Sequence, residues 1–208
     1  KDFDDMQIVC GIDPQTTNFP CKTYPNFRNI AENVDAVIDF SAPSGLKDRP
    51  DFCEDRQTKL VVATTGFSEE EYEQIRGVSR RIPILLSANL CPTIFLFQTI
   101  AKKIHEVLRS FDVEIIEKHH NQKKDAPSGT AKVLSNLVKN APVHSLRGGT
   151  ITGEHSVCFF GQDEEITLTH RAYNRSIFAK GALQAVRFLA LKDCGLFSMQ
   201  DLCQASIS

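Results

Sequence analysis

The amino-acid sequence predicts an α/β protein in two parts. A doubly wound parallel sheet occupies about residues 1–90, and an α+β domain with a mixed, largely antiparallel sheet follows it. Three observations carry this reading. Short apolar runs alternate with polar connections through the first ninety residues. Three of those runs are near-continuous Val/Ile/Leu stretches, the pattern of parallel strands buried on both faces. Beyond residue 91 the pattern changes to a long helical stripe, a second helix and a Thr/Phe-rich, strand-forming stretch.

Taken in order, strands are predicted at 6–13, 34–40, 60–65 and 82–88, with Pro83 near the start of the last, where it costs least. Ser68-Glu69-Glu70-Glu71 has the spacing of a capping box and opens a helix to about Arg81. Phe97, Ile100, Ala101, Ile104, Val107 and Leu108 recur at helical spacing, and His105 falls on the polar face of that helix. A strand is predicted at 113–120, a polar loop through Lys124 and a helix over 128–141 bearing Leu134, Leu137, Val138 and Ala141 on one face. Residues 143–173, broken by Arg147-Gly148-Gly149 and Phe160-Gly161-Gln162-Asp163, read as antiparallel hairpins. The last long helix is predicted at 178–191 along Ala182, Ala185, Val186 and Leu189. The domains are therefore 1–90 together with 176–208, and 91–175.

Composition narrows the function. Apolar residues at 41% and charged residues at 24% exclude a mainly disordered chain, and 208 residues suffice for a sizeable core. A formal net charge of -2 gives no electrostatic case for nucleic acid or an anionic membrane as partner. No apolar run approaches the ~18 residues of a membrane helix, and Lys1-Asp2-Phe3-Asp4-Asp5 is not a signal peptide. The expectation is a soluble, intracellular chain. Seven cysteines without a C-x-x-C pair, none at metal-ligand spacing from a His, read as buried apolar residues and no metal site.

The densest reactive cluster is Glu117-Lys118-His119-His120-Asn121-Gln122-Lys123-Lys124-Asp125-Ala126-Pro127-Ser128-Gly129-Thr130-Ala131. Adjacent histidines at a strand end point to opposite faces and cannot both serve one metal in regular geometry. Lys123 and Lys124 add positive charge. Ser128-Gly129-Thr130 then opens a helix, offering free N–H groups, two hydroxyls and the positive end of the dipole, which together make an anion site. Proton transfer by His, charge from Lys and a helix start for a carboxylate point to an enzyme of small acids. An ordinary Ser N-cap with solvated lysines is the plainer alternative.

That run strongly resembles the signature of the dihydrodipicolinate reductase family. The resemblance continues in order through Val37-Ile38-Asp39-Phe40-Ser41, Ala63-Thr64-Thr65-Gly66-Phe67, Ser87-Ala88-Asn89-Leu90, Gly149-Thr150-Ile151-Thr152-Gly153-Glu154-His155 and Phe178-Ala179-Lys180-Gly181-Ala182. It implies a Rossmann-like first domain and hydride transfer from NADH or NADPH to a small cyclic dicarboxylate, with loss of water, in the diaminopimelate route to lysine. It implies a cytoplasmic homotetramer. By position, His119 matches the proton donor/acceptor, Lys123 the second proton donor and His120 a substrate contact. Ser128, Gly129 and Thr130 match the carboxylate-binding helix start. Asp13 falls where a carboxylate accepts from the adenosine ribose. Ala63, Thr64, Thr65, Ser87, Ala88, Asn89 and Leu90 match the other cofactor stretches. Arg175 and Phe178 lie near the cofactor in the family pattern; a surface cation and a core aromatic describe them equally well. With Asp13 followed by Pro14 and Gln15 and no adjacent cation, NADH is favoured.

The chain departs from the family pattern twice. A first strand and glycine-rich loop of the form G-x-x-G-x-M-G have no counterpart here, so the sheet is expected to lack a central strand and to leave edges and apolar surface uncovered. An incomplete sequence accounts for this. The alternative is a non-catalytic paralogue that keeps the dicarboxylate pocket as a binding or assembly module. After Asn89, Cys91-Pro92-Thr93-Ile94-Phe95 replaces a Gly-Val-Asn-like triplet, with Pro92 suited to a first helical turn.

Overall fold

The computed structural model describes residues 3–15 and 19–205 and divides the chain into two compact units, 1–90 with 180–208, and 91–179. The division at 179/180 falls inside a helix, four residues beyond the expected boundary.

The first unit is built on four parallel strands in the order β10-β5-β4-β3: β3 (Ala36–Asp39), β4 (Lys59–Val62), β5 (Pro83–Leu86) and β10 (Gly195–Phe197). Near-continuous apolar sequence is explained by burial on both faces. Leu60, Val62 and Ile84 point into a core with Cys53, Ile75, Val78 and Ile82, while Val61 and Leu85 are equally buried on the opposite side. Helix α1 (Arg49–Asp55) packs against α2 (Glu69–Ser79) over β4 and β5. The Ser68 capping box forms as predicted: its hydroxyl accepts from the Glu71 N–H, and the Glu71 carboxylate accepts from the Ser68 N–H.

A separate parallel pair, β1 (Cys10–Ile12) and β2 (Lys22–Tyr24), completes the unit. The predicted strand at 6–13 is thus reduced to three residues. The lead-in bears Ile8 at 74% exposure, because no neighbouring strand covers it among the described residues. Among the described residues β3 likewise pairs only with β4. A groove of about 740 Å³ is lined by Ile8 and Val9, by Ile38 and Phe40 of β3, and by Leu183 and Val186 of α5 (Ser176–Leu189). This is the uncovered apolar surface expected of a sheet without its central strand. Asp5 closes one side of it by accepting from Arg187 Nε at 3.0 Å.

The second unit is a mixed sheet in the order β7-β6-β8-β9, made of β6 (Asp112–His119), β7 (Val143–Arg147), β8 (Gly153–Phe160) and β9 (Glu165–Ala172). Two of its three pairings are antiparallel. The hairpin reading of 143–173 holds for β8 and β9 and fails for β7, which runs parallel to β6. The physical reason is α4 (Gly129–Leu137): a helical crossover between β6 and β7 returns the chain in the same direction. Lys139 and Asn140, both at φ 56°, end that helix short of the predicted Ala141. Phe97 and Ala101 of α3 (Pro92–Val107) and Ala131 and Leu134 of α4 cover one sheet face through Ile115, Val157 and Phe159. His105, assigned to a polar face, is instead 8% exposed, whereas Val107 of the apolar stripe is 79% exposed. No helix among the described residues is long and apolar enough to cross a membrane.

Candidate active site

In a strand, residues two apart share a face. On β6 this places Ile115, Glu117 and His119 on the covered side, with His119 at the carboxyl end. His120 turns the other way, half-buried, with its Nε2 3.4 Å from Arg175 Nη2. The chain then leaves the strand in a loop tied back to the sheet by Gly148 N–H on the His119 carbonyl at 2.9 Å. Lys123 lies in this loop, its Nζ 2.7 Å from Asp125 Oδ1.

Ser128 begins α4. Its hydroxyl accepts from the Ala131 N–H at 3.3 Å, which leaves the N–H groups of Gly129 and Thr130 without acceptors inside the helix. A Cβ added at Gly129 would meet nothing within 4 Å, so the approach to these donors is open. The Ser128 N–H itself donates to Glu117 Oε1 at 3.3 Å, and its hydroxyl bonds His155 Nε2 at 3.0 Å. Glu117, Ser128 and His155 therefore form one bonded cluster.

Glu117 is fully buried and its charge is balanced by Arg147, whose Nη2 and Nη1 reach Oε1 and Oε2 at 2.6 and 2.9 Å. The same guanidinium donates to the carbonyls of Asp125 and Leu146, at 2.7 and 2.8 Å. Burial pushes the Glu117 carboxyl up, but the hydrogen bonds from Arg147 and its other neighbours outweigh it and bring it to about 2. His119 Nδ1 contacts Glu117 Oε2. Burial moves His119 below its ordinary value against the pull of Glu117, and Lys123 and Arg147 add to the depression. His155 lies edge-on to His119, with ring centroids 5.2 Å apart, and burial holds it down at about 4.

The sequence places Glu117 in the reactive run without a role and His155 in a matched stretch, and gives Arg147 no part in this cluster. The i, i+2 spacing of Glu117 and His119 was an available signal. Arg147 was not accessible, because its partnership depends on the β6–β7 register.

The strand-end residues matched to a cofactor belong to the first unit, whereas Arg175 and Phe178 fall in the second. Asp13 follows β1; its Oδ1 accepts from the Gln15 N–H at 2.8 Å. Ala63, Thr64 and Thr65 follow β4. Thr64 is buried, with its hydroxyl 2.9 Å from Asp39 Oδ2 and 3.1 Å from the Ser41 carbonyl, so it shapes the loop from within while Thr65 is exposed. Ser87, Ala88, Asn89 and Leu90 follow β5. Ser87 Oγ bonds the Asn89 carbonyl at 2.8 Å, and Leu90 is buried at 1% exposure. Three strand ends thus carry the set, held mainly through backbone and short hydroxyls.

Parallel-strand ends bearing a lone carboxylate, and a separate unit bearing a carboxylate-held imidazole beside an open helix start, define a class: a two-unit α/β enzyme acting on small molecules. Comparison with known proteins narrows it. Residues 2–90 match the N-terminus of dihydrodipicolinate reductase as a family, and residues 93–203 match its C-terminus. The 4-hydroxy-tetrahydrodipicolinate reductase of Clostridium tetani is 40% identical over 223 residues, covering 96% of this chain and 88% of its own length. That of Caldanaerobacter subterraneus subsp. tengcongensis is 36% identical over 225 residues, covering 97% and 90%. A solved dipicolinate-bound dihydrodipicolinate reductase from Paenisporosarcina sp. TG-14 superposes with a TM-score of 0.81 over 94% of this chain and 88% of its own, at 22% identity, and so shares the fold. The chain belongs to the dihydrodipicolinate reductase family.

Proposed function

We propose that the chain reduces 4-hydroxy-tetrahydrodipicolinate to tetrahydrodipicolinate, with loss of water, in the diaminopimelate route to lysine. The observation that carries this is the family match across both units, joined to a proton-transfer cluster at the end of β6. When bound, a reduced nicotinamide dinucleotide supplies the hydride. The first unit offers part of its site: Asp13 keeps Oδ2 for a ribose hydroxyl, and Ala63–Thr65 and Ser87–Leu90 offer strand-end backbone, while no glycine-rich turn for the pyrophosphate stands among the described residues.

In this reading His119 gives the proton and Lys123 is the second donor. His120 contacts the substrate, and the N–H groups and hydroxyl of Ser128-Gly129-Thr130 hold a substrate carboxylate. NADH is the favoured cofactor, because Lys22, the next cation after Asp13, is engaged by Glu32 at 3.0 Å and so is not offered to a 2′-phosphate. A cytoplasmic homotetramer belongs to the same reading, supported by the exposed residues of β9; sedimentation velocity tests the assembly.

The reaction itself is tested by following reduced-nicotinamide consumption by the purified chain in the presence of the substrate. Turnover that pyridine-2,6-dicarboxylate inhibits is expected. A chain that binds cofactor and inhibitor yet consumes neither NADH nor NADPH overturns the reading.

A further inference from the structure

We infer that Glu117, locked by Arg147, is the positioning residue of this site: it holds His119 as the Nδ1–H tautomer and leaves Nε2 as the atom that exchanges the proton. The inference rests on the proton-transfer role proposed for His119 and adds how the ring is set.

Donor counting leads to it. The Glu117 carboxylate receives two N–H groups from Arg147 and one from the Ser128 backbone, at 2.6, 2.9 and 3.3 Å, a further hydrogen bond from the Ser145 side chain, and faces His119 Nδ1 through Oε2. A guanidinium donating to both oxygens, with a backbone N–H on one of them, selects the ionised carboxylate, and an ionised carboxylate only accepts. His119 Nδ1 must then carry a hydrogen. In the neutral ring the lone pair is on Nε2, and in the protonated ring the mobile proton is there.

The far side of the ring agrees. A Cβ at Gly153 would come within 3.2 Å of His119 Nε2 and 3.4 Å of Cδ2, so glycine at this point of β8 keeps the reactive atom uncrowded. The charged and titratable groups facing His119 are Glu117, Arg147, Lys123 and His155. Only Glu117 is placed to accept from Nδ1; His155 spends its Nε2 on Ser128.

Arg147 has a second consequence. It holds the Asp125 carbonyl, and Glu117 holds the Ser128 N–H, so the loop with Lys123 and the start of α4 are fixed to the carboxylate that orients His119. Imidazole, second cation and anion-binding helix start are thereby set in one frame, which is the condition for an oriented proton transfer. A purely structural Glu–Arg pair would have no influence on which ring nitrogen of His119 bears the hydrogen.

The test reads that nitrogen directly. Long-range ¹H–¹⁵N correlation spectra of the wild-type chain, with His119 assigned by its loss in His119→Gln, should show neutral His119 protonated on Nδ1. Protonation on Nε2 overturns the inference. In Glu117→Gln the amide oxygen is held by Arg147 and the amide NH₂ faces Nδ1, so the neutral ring should switch to the Nε2–H form. Turnover should fall by roughly 10²- to 10⁴-fold with KM little changed, and the alkaline-side inflection of kcat, where the donor ring loses its proton, should move to lower pH as the carboxylate charge is lost. Glu117→Gln with unchanged kcat, alongside an impaired His119→Gln, overturns this inference alone. An active His119→Gln overturns the assigned role of His119 instead. Should Glu117→Gln fail to fold, the wild-type spectrum still decides.

Discussion

Each unit buries one carboxylate–arginine pair at the carboxyl end of a strand, and the two pairs serve different ends. In the first unit Asp39 pairs with Arg49, and its remaining capacity goes to the Ser41 N–H and the Thr64 hydroxyl. In the second, Glu117 pairs with Arg147 and turns its open side to an imidazole. A buried ion pair contributes little net stability once desolvation is counted. The Asp39 pair closes on itself and shapes the loops after β3 and β4. The Glu117 pair leaves one acceptor for a titratable neighbour, and that single vacancy turns a structural pair into a device for chemistry. Holding a long cofactor asks for backbone shape and one carboxylate; moving a proton asks for one ring atom in one place.

The comparison can be broken most severely at the imidazole. His119→Gln should lower kcat by roughly 10²- to 10⁴-fold with modest change in KM. Steady-state kinetics returning near-wild-type turnover would leave the second unit with no chemistry to distinguish it from the first.

Next in size is the effect of pH on stability through His155, whose ordinary value is 6.5 and which burial lowers to about 4. Above the ordinary value the ring is neutral folded or unfolded, and its contribution is complete. Between the two values only the unfolded chain takes the proton, so stability falls as pH falls. By pH 5 the loss should be ~2 kcal/mol. Urea unfolding at pH 7 and pH 5 should show a smaller drop in His155→Gln than in wild type; equal drops would remove the buried ring as the cause.

Lys123→Ala sharpens the view that the loop supplies charge as well as shape. It should cost about 1.5–3 kcal/mol in kcat/KM, the worth of one charge-assisted hydrogen bond. An unchanged value at low ionic strength would return Lys123 to its pairing with Asp125 alone.

The smallest effect tests the first unit. NADH should exceed NADPH by about tenfold in kcat/KM, ~1.4 kcal/mol, since a 2′-phosphate would meet Asp13 with Lys22 already held by Glu32. A clear NADPH preference would mean that another cation serves this strand end.

Much of this fold was legible because its longer elements advertise themselves. The capping box of α2, the Pro-Ser-Gly-Thr start of α4 and the doubly buried runs of β4 and β5 are local signals, and each lies where its residues predict. β2 and β10 have three residues each, and α1 and α6 (Met199–Ala205) seven each, too few turns for a period to show. The direction of β7 and the burial of His105 are tertiary outcomes. One follows from the α4 crossover, the other from the packing of α3 beside α4. The site divides in the same way. His119, Lys123 and Ser128 stand in one run of sequence and could be seen together, while Arg147 reaches Glu117 across thirty residues through strand register.

The groove beside β3 has a consequence in the time domain. Among the described residues β4 is paired on both edges, β3 on one, and β1 and β2 only with each other over three residues. Resistance to local opening should therefore decline in that order. Amide hydrogens would be replaced by deuterium last in β4 and β5 and first in β1 and β2. The strand that carries Asp13 thus belongs to the part of the first unit that breathes most, and a ligand gripping that carboxylate would slow the exchange of its neighbours before it slowed anything else.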